Sequence, residues 1–243
     1  MRTYTIEQQK TKLEKAIKDA LIISNNELCV LQDYYMEENL RYVVMTEISK
    51  AKCFGVFPNT NTSGNLLCFE QSYPKPKKGQ KIKFKPDIVS IKLRKNRGNT
   101  YSINKVNPLV IELKQNPSLG KIEPDPKPNL FEPTPQKKQI EIKDMKSSLS
   151  TDITKVRKYL VKNSDNLRFE IGAVVIVGTG KIDQNNFKKK LEQILVMHQK
   201  ELKVEISSAK NLLFAWFNPL IEEPELIWLN KKEKIVLGTN KKK

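Results

Sequence analysis

"FKPDIVSIKLRKNRGNTYSINKVNPLVIELKQ", residues 84–115, holds two aliphatic runs, each interrupted by charge. "PLVIELKQ" (108–115) has the branched aliphatic density of a buried strand. Glu112 and Lys114 stand two apart within it, so they project from one face, while Ile111 and Leu113 project from the other. Burying lone charges is costly, so such a strand needs its charges to pair, to bind a metal, or to open on a cleft. A Glu112–Lys114 salt bridge is the plainest answer. Asp87 shifts the balance. It is the sole acid between residues 72 and 105, among eleven Lys and Arg, and it follows Pro86 in "IKFKPDIVSIKL" (82–93), a second strand whose proline marks an edge or a bulge. A carboxylate there can converge with Glu112 on one divalent cation. Mg²⁺ takes hard oxygen ligands in octahedral geometry and keeps several waters, so two carboxylates and a main-chain carbonyl suffice.

Outward from this pair, the periodicity predicts helices over 5–23 and 27–51, separated by "SNN", and a strand over 66–73. "RGNTYSINKVN" makes a hairpin-like connection between the two charged strands. Residues 117–135 carry six of the thirteen prolines and read as a loop or lid. Ser150 or Thr151 is expected to cap a helix through "DITKVRKYLVKN", with Asp152 favoured in its first turn by the helix dipole. "RFEIGAVVIVG" (168–178) is a central strand, residues 185–202 are a helix, and "NLLFAWF" and "PELIWL" are closing strands. The order implies an α/β fold with a mixed sheet and helices on both faces. It forms a single domain: an N-terminal helix (1–26), a core (27–180) with a Pro-rich loop (116–149), and a C-terminal helix and strands (181–243). "VGTGK" is no phosphate-binding loop, because Val175 replaces its first glycine and Ile182 its Ser or Thr.

The 243 residues carry a net charge of +17, which favours a polyanionic partner, nucleic acid above all. Lys75, Lys77, Lys78, Lys81, Lys83 and Lys85 fall within eleven residues beside Asp87 and are the candidate nucleic-acid contacts. No apolar run approaches the ~20 residues of a membrane span, and no signal-peptide pattern opens the chain, so a cytoplasmic or nuclear location is expected. Cys29, Cys53 and Cys68 form no CxxC pair, which suits a reducing compartment. One histidine, His198, excludes HNH-type and HExxH metal sites and fits helix packing.

Pro86-Asp87, then Glu112-Leu113-Lys114 on an aliphatic strand, then "DITKVRKYL", resembles the PD-(D/E)XK nuclease superfamily with its restriction endonuclease-like fold, over roughly residues 38–180. The resemblance implies a Mg²⁺- or Mn²⁺-dependent phosphodiesterase. Asp87, Glu112 and the Leu113 carbonyl would be metal ligands. Lys114 would lie beside the attacking water and scissile phosphate. Glu38 or Glu47 would be the acid of the first core helix. They are nine residues apart and so on opposite helix faces, and Glu38, with more turns after it, is the better candidate. The expected function is a DNA endonuclease of restriction, repair or mobile-element type. A non-catalytic nucleic-acid-binding module and an RNA-processing nuclease are the alternatives. An ATP-driven role would need a partner protein, and a homodimer is compatible with the sequence.

Overall fold

The computed structural model describes residues 4–28, 37–55, 65–69, 86–95, 101–115, 148–161, 168–177, 184–201, 211–217, 223–229 and 235. Helix α1 spans Ile6–Leu28. It opens on a reciprocal cap: Gln8 N donates to Thr5 Oγ1 (3.2 Å), and Thr5 N donates back to Gln8 Oε1 (3.0 Å). Leu13, Ala16, Ile17, Ala20 and Leu21 make its buried stripe. Helix α2 spans Glu37–Ala51, buries Leu40, Val44, Met45 and Ile48, and packs on α1. The helical pattern expected over 27–51 is thus shared: α1 runs on to Leu28, and α2 starts at Glu37. The turn after α2 needs Gly55, at φ +108°, where a Cβ would stand 2.6 Å from the Asn65 carbonyl oxygen.

Among the described residues seven strands follow: β1 (Asn65–Phe69), β2 (Ile88–Lys95), β3 (Tyr101–Ile103), β4 (Val106–Gln115), β5 (Arg168–Val177), β6 (Leu212–Phe217) and β7 (Glu225–Trp228). They form one mixed, open sheet in the order β1-β2-β4-β5-β6-β7, with β3 pairing on β2. β2 is antiparallel to β1 and β4, β4–β5 and β5–β6 are parallel, and β7 closes antiparallel on β6. The strand expected over 82–93 begins only at Ile88. Pro86 has no N–H for a ladder bond, so pairing starts after it, and Asp87 precedes the strand rather than lying in it. Residues 82–85 and all six candidate lysines, Lys75 to Lys85, lie outside the described residues, as do Cys29 and residues 116–147 of the Pro-rich loop; residues 148 and 149, expected to end that loop, are helical.

Helix α3 (Ser148–Leu160) crosses over between the parallel strands β4 and β5, and helix α4 (Gln184–Glu201) follows β5. α3 is already helical at Ser148, ahead of both expected caps, so Ser150 and Thr151 lie inside it, and Asp152 falls in its second turn rather than its first. Ser150 finds a tertiary partner there instead. Its Oγ meets His198 of α4, and its carbonyl accepts the Thr154 hydroxyl. The two sheet faces follow from register. Gly172 of β5 faces α3, since a Cβ there would stand 2.6 Å from Val156 Cγ1. Gly172 pairs with Val110, and Val110 with Val89, so these share the α3 face. Ser90 points the other way, and its Oγ donates to the carbonyl of Phe54, just after α2. Helices α1 and α2 therefore cover one face, α3 and α4 the other. The core fills both layers: Leu109, Ile111 and Leu113 toward α2, Val110, Val174 and Ile176 toward α3.

Candidate metal and phosphate site

Glu112 and Lys114 continue the Val110 parity, so both project toward α3. The β2–β4 pairing ends at Ile88–Ile111, so Asp87, just before β2, and Glu112, just after Ile111, come to the same end of adjacent strands, close enough for the Asp87 charge to act on Glu112. Asp87 does more than stand there. Its Oδ2 accepts the Leu113 N–H at 2.7 Å, and its Oδ1 pairs with Arg41 of α2 at 2.9 Å. An extended residue sends its own N–H and C=O to the same side, so the Leu113 carbonyl also faces this corner. Pro86, just before Asp87, has no N–H to offer a neighbouring carbonyl. The Asp87 carboxylate thus holds the Leu113 amide where the ladder has ended.

From α3, Asp152 and Lys155 reach into the same corner. Lys155 Nζ lies 2.8 Å from Asp152 Oδ1 and 3.9 Å from Glu112 Oε1, and Lys114 Nζ lies 3.9 Å from Asp152 Oδ2. Gly172 makes this possible: without a side chain there, α3 sits close enough to the sheet for its second turn to meet β4. Glu112 is 4% exposed and Asp152 2%. Glu112 Oε2 and Asp152 Oδ2 are both buried and take no hydrogen bond among the described residues. Burial pushes the Glu112 carboxyl up to about 8, helped by the charges of Asp87 and Asp152 and opposed by Lys155 and Lys114.

Among the described residues, no three His, Cys, Asp or Glu side chains gather into a group that could hold a metal by themselves. The donors for one hard cation are instead two carboxylates and a main-chain carbonyl, with water completing the shell. The orphaned buried oxygen on Glu112 fits that demand, and the Leu113 carbonyl lies on the next residue of β4. Arg41 already compensates Asp87 from the α2 side.

The helix acids separate cleanly. Glu38 is exposed in the first turn of α2, rather than mid-helix, and lies one turn before Arg41. Glu47 is buried near the end of α2 and held by Lys50 at 2.5 Å. Sequence reasoning passed over Arg41, Asp152 and Lys155. Gly172 within a strand was the one signal of a closely approaching helix.

Other reactive groups are structural. His198 is pushed down to about 3, chiefly by burial and then by the charge of Arg157. Arg157 can only donate, so Nδ1 accepts at 2.9 Å, the proton sits on Nε2, and Ser150 Oγ at 3.1 Å accepts it. The pair has no base for the serine. Burial raises the Cys53 and Cys68 thiols to about 11, which keeps them protonated at neutral pH. No described helix is long and apolar enough to cross a membrane. Compared with protein-family models, curated proteins and solved structures, the chain matches none of them significantly.

Proposed function

We propose that this protein is a metal-dependent nuclease that hydrolyses DNA phosphodiester bonds, with a core of the restriction endonuclease-like type. The observation that carries the reading is the convergence of Asp87, Glu112, the Leu113 carbonyl and Lys114 on one corner, where Glu112 keeps an orphaned buried oxygen. The core order of helix, three-strand antiparallel run, crossover helix and parallel strand supports it, because that is the arrangement the resemblance implies.

Asp87, Glu112 and the Leu113 carbonyl would hold Mg²⁺ or Mn²⁺, which supplies Lewis acidity and a lowered water pKa. Lys114, beside them on β4, orients the water and stabilises negative charge developing on the phosphate. Glu38 is the favoured outer acid, because Arg41, one turn after it, already reaches Asp87. The net charge of +17 supplies the attraction for the polyanion. Incubation with supercoiled plasmid and with single-stranded DNA, in Mg²⁺, Mn²⁺ or EDTA, tests the reading: cleavage in either metal and none in EDTA is expected. The second reading, a binding module without catalysis, is favoured by one specific feature. Arg41 already pairs with Asp87, and Lys155 lies 3.9 Å from Glu112, so both acids have a cation of the protein beside them.

A further inference from the structure

Asp152 lies between two lysines from different elements: Lys155 Nζ is 2.8 Å from Oδ1 and Lys114 Nζ 3.9 Å from Oδ2. The exposures are graded. The Asp152 side chain is 3% exposed, that of Lys114 27% and that of Lys155 38%. A buried carboxylate at the bottom thus anchors two ammonium groups at the mouth. Lys155 also leans on Glu112 Oε1 at 3.9 Å, outside hydrogen-bond reach. Asp152 Oδ2 takes no hydrogen bond from the described residues although Lys114 is its neighbour, so it has acceptor capacity left for that lysine.

We infer that Asp152 is a positioning residue that joins Lys114 and Lys155 into a two-lysine clamp for one phosphate of a polyanionic backbone, with Lys155 as a phosphate-binding residue. An ammonium group is a compact charge with three rotatable donors, and the buried Asp152 sets the place of both: Lys155 donates to Oδ1, and Lys114 lies 3.9 Å from Oδ2. The crossover geometry fixes the separation of the two, because Gly172 holds α3 against the sheet. The inference rests on the nuclease reading only for the identity of the polyanion.

The test is binding of a short duplex DNA in EDTA over a salt series, so cleavage plays no part. Removing one lysine–phosphate interaction lowers the log–log salt slope by ~0.9. Lys155→Gln is expected to lower the slope by that amount, and Lys155→Arg to keep it. Asp152→Asn gives a sign test. Removing a negative charge near an anion site tightens binding if Asp152 contributes charge alone; a positioning role predicts weaker binding instead. An unchanged slope in Lys155→Gln, or tighter binding by Asp152→Asn, overturns the clamp. The two readings fail separately. A wild type that cuts nothing in Mg²⁺ or Mn²⁺ while Lys155→Gln has a reduced slope removes the nuclease and keeps the clamp. A cleaving wild type with an unchanged Lys155→Gln slope does the opposite.

Discussion

The Arg41 guanidinium of α2 meets the Asp87 carboxylate at 2.9 Å across the end of β2, with each residue only 8% exposed. The pair joins the helix layer on one face to the corner where β2 and β4 begin and end. Breaking a buried pair leaves an uncompensated charge, so Arg41→Ala is expected to cost about 3–5 kcal/mol. Urea midpoints of the two proteins give the value. A loss under about 1 kcal/mol is the size of an exposed pair and would mean the bond is not held in solution.

Glu112 makes stability depend on pH. Its carboxyl rises from an ordinary 4.5 to about 8, with burial the first cause. Between those values the folded chain keeps a proton that the unfolded chain releases. Stability therefore falls as pH rises through that window, and the full contribution is present only at its acid end. Glu112→Gln should flatten this part of the profile, as seen in denaturant midpoints taken at both ends. A profile identical to wild type would place Glu112 in water.

Gly172 sets the spacing of α3. Adding one methyl puts a Cβ 2.6 Å from Val156 Cγ1 and 3.3 Å from Leu160 Cδ1. Gly172→Ala is expected to destabilise by about 1–3 kcal/mol through overpacking. A thermal melt equal to that of wild type would show that α3 has room to spare.

The charged strand and its acids are legible in the sequence because two local rules apply to them. Period-two alternation fixes which face Glu112 and Lys114 share, and the cost of burying charge demands a reason for them. Pro86 reads as an edge signal, but its stronger effect is to end the ladder, which moves Asp87 out of the strand and onto the Leu113 amide. Arg41, Asp152 and Lys155 are not legible. Each sits on a helix whose place over the sheet is set by tertiary packing, and in the sequence Asp152 reads as a first-turn acid of the helix dipole, although α3 places it in the second turn. Ser150 misleads in the same way: a good capping residue goes to His198 because tertiary packing offers it a buried partner.

The run from Lys75 to Lys85 carries a prediction about affinity. Reversing Lys77 and Lys78 to glutamate should weaken duplex binding and lower the salt slope by ~0.9 for each phosphate no longer neutralised. Gel shifts across salt concentrations measure it. A slope equal to wild type would move the binding face elsewhere.

The helix acids divide by burial. Glu38→Gln should slow cleavage and raise the Mg²⁺ requirement with little change in stability, because its side chain is exposed. Glu47→Gln should lower the melting temperature, because it removes a buried partner of Lys50. A metal titration of cleavage beside a thermal melt separates the two, and the reverse pattern would hand the catalytic part to Glu47.

The most direct measurement is plasmid cleavage in Mg²⁺ by wild type, Asp87→Ala and Lys114→Ala, run beside DNA binding in EDTA. Metal-dependent cleavage by the wild type is predicted, with a fall on the order of 10²–10³-fold in Lys114→Ala, while that variant stays folded and its salt slope drops by no more than ~0.9. Cleavage by Lys114→Ala at the wild-type rate, or no cleavage by the wild type in either Mg²⁺ or Mn²⁺, would contradict the account.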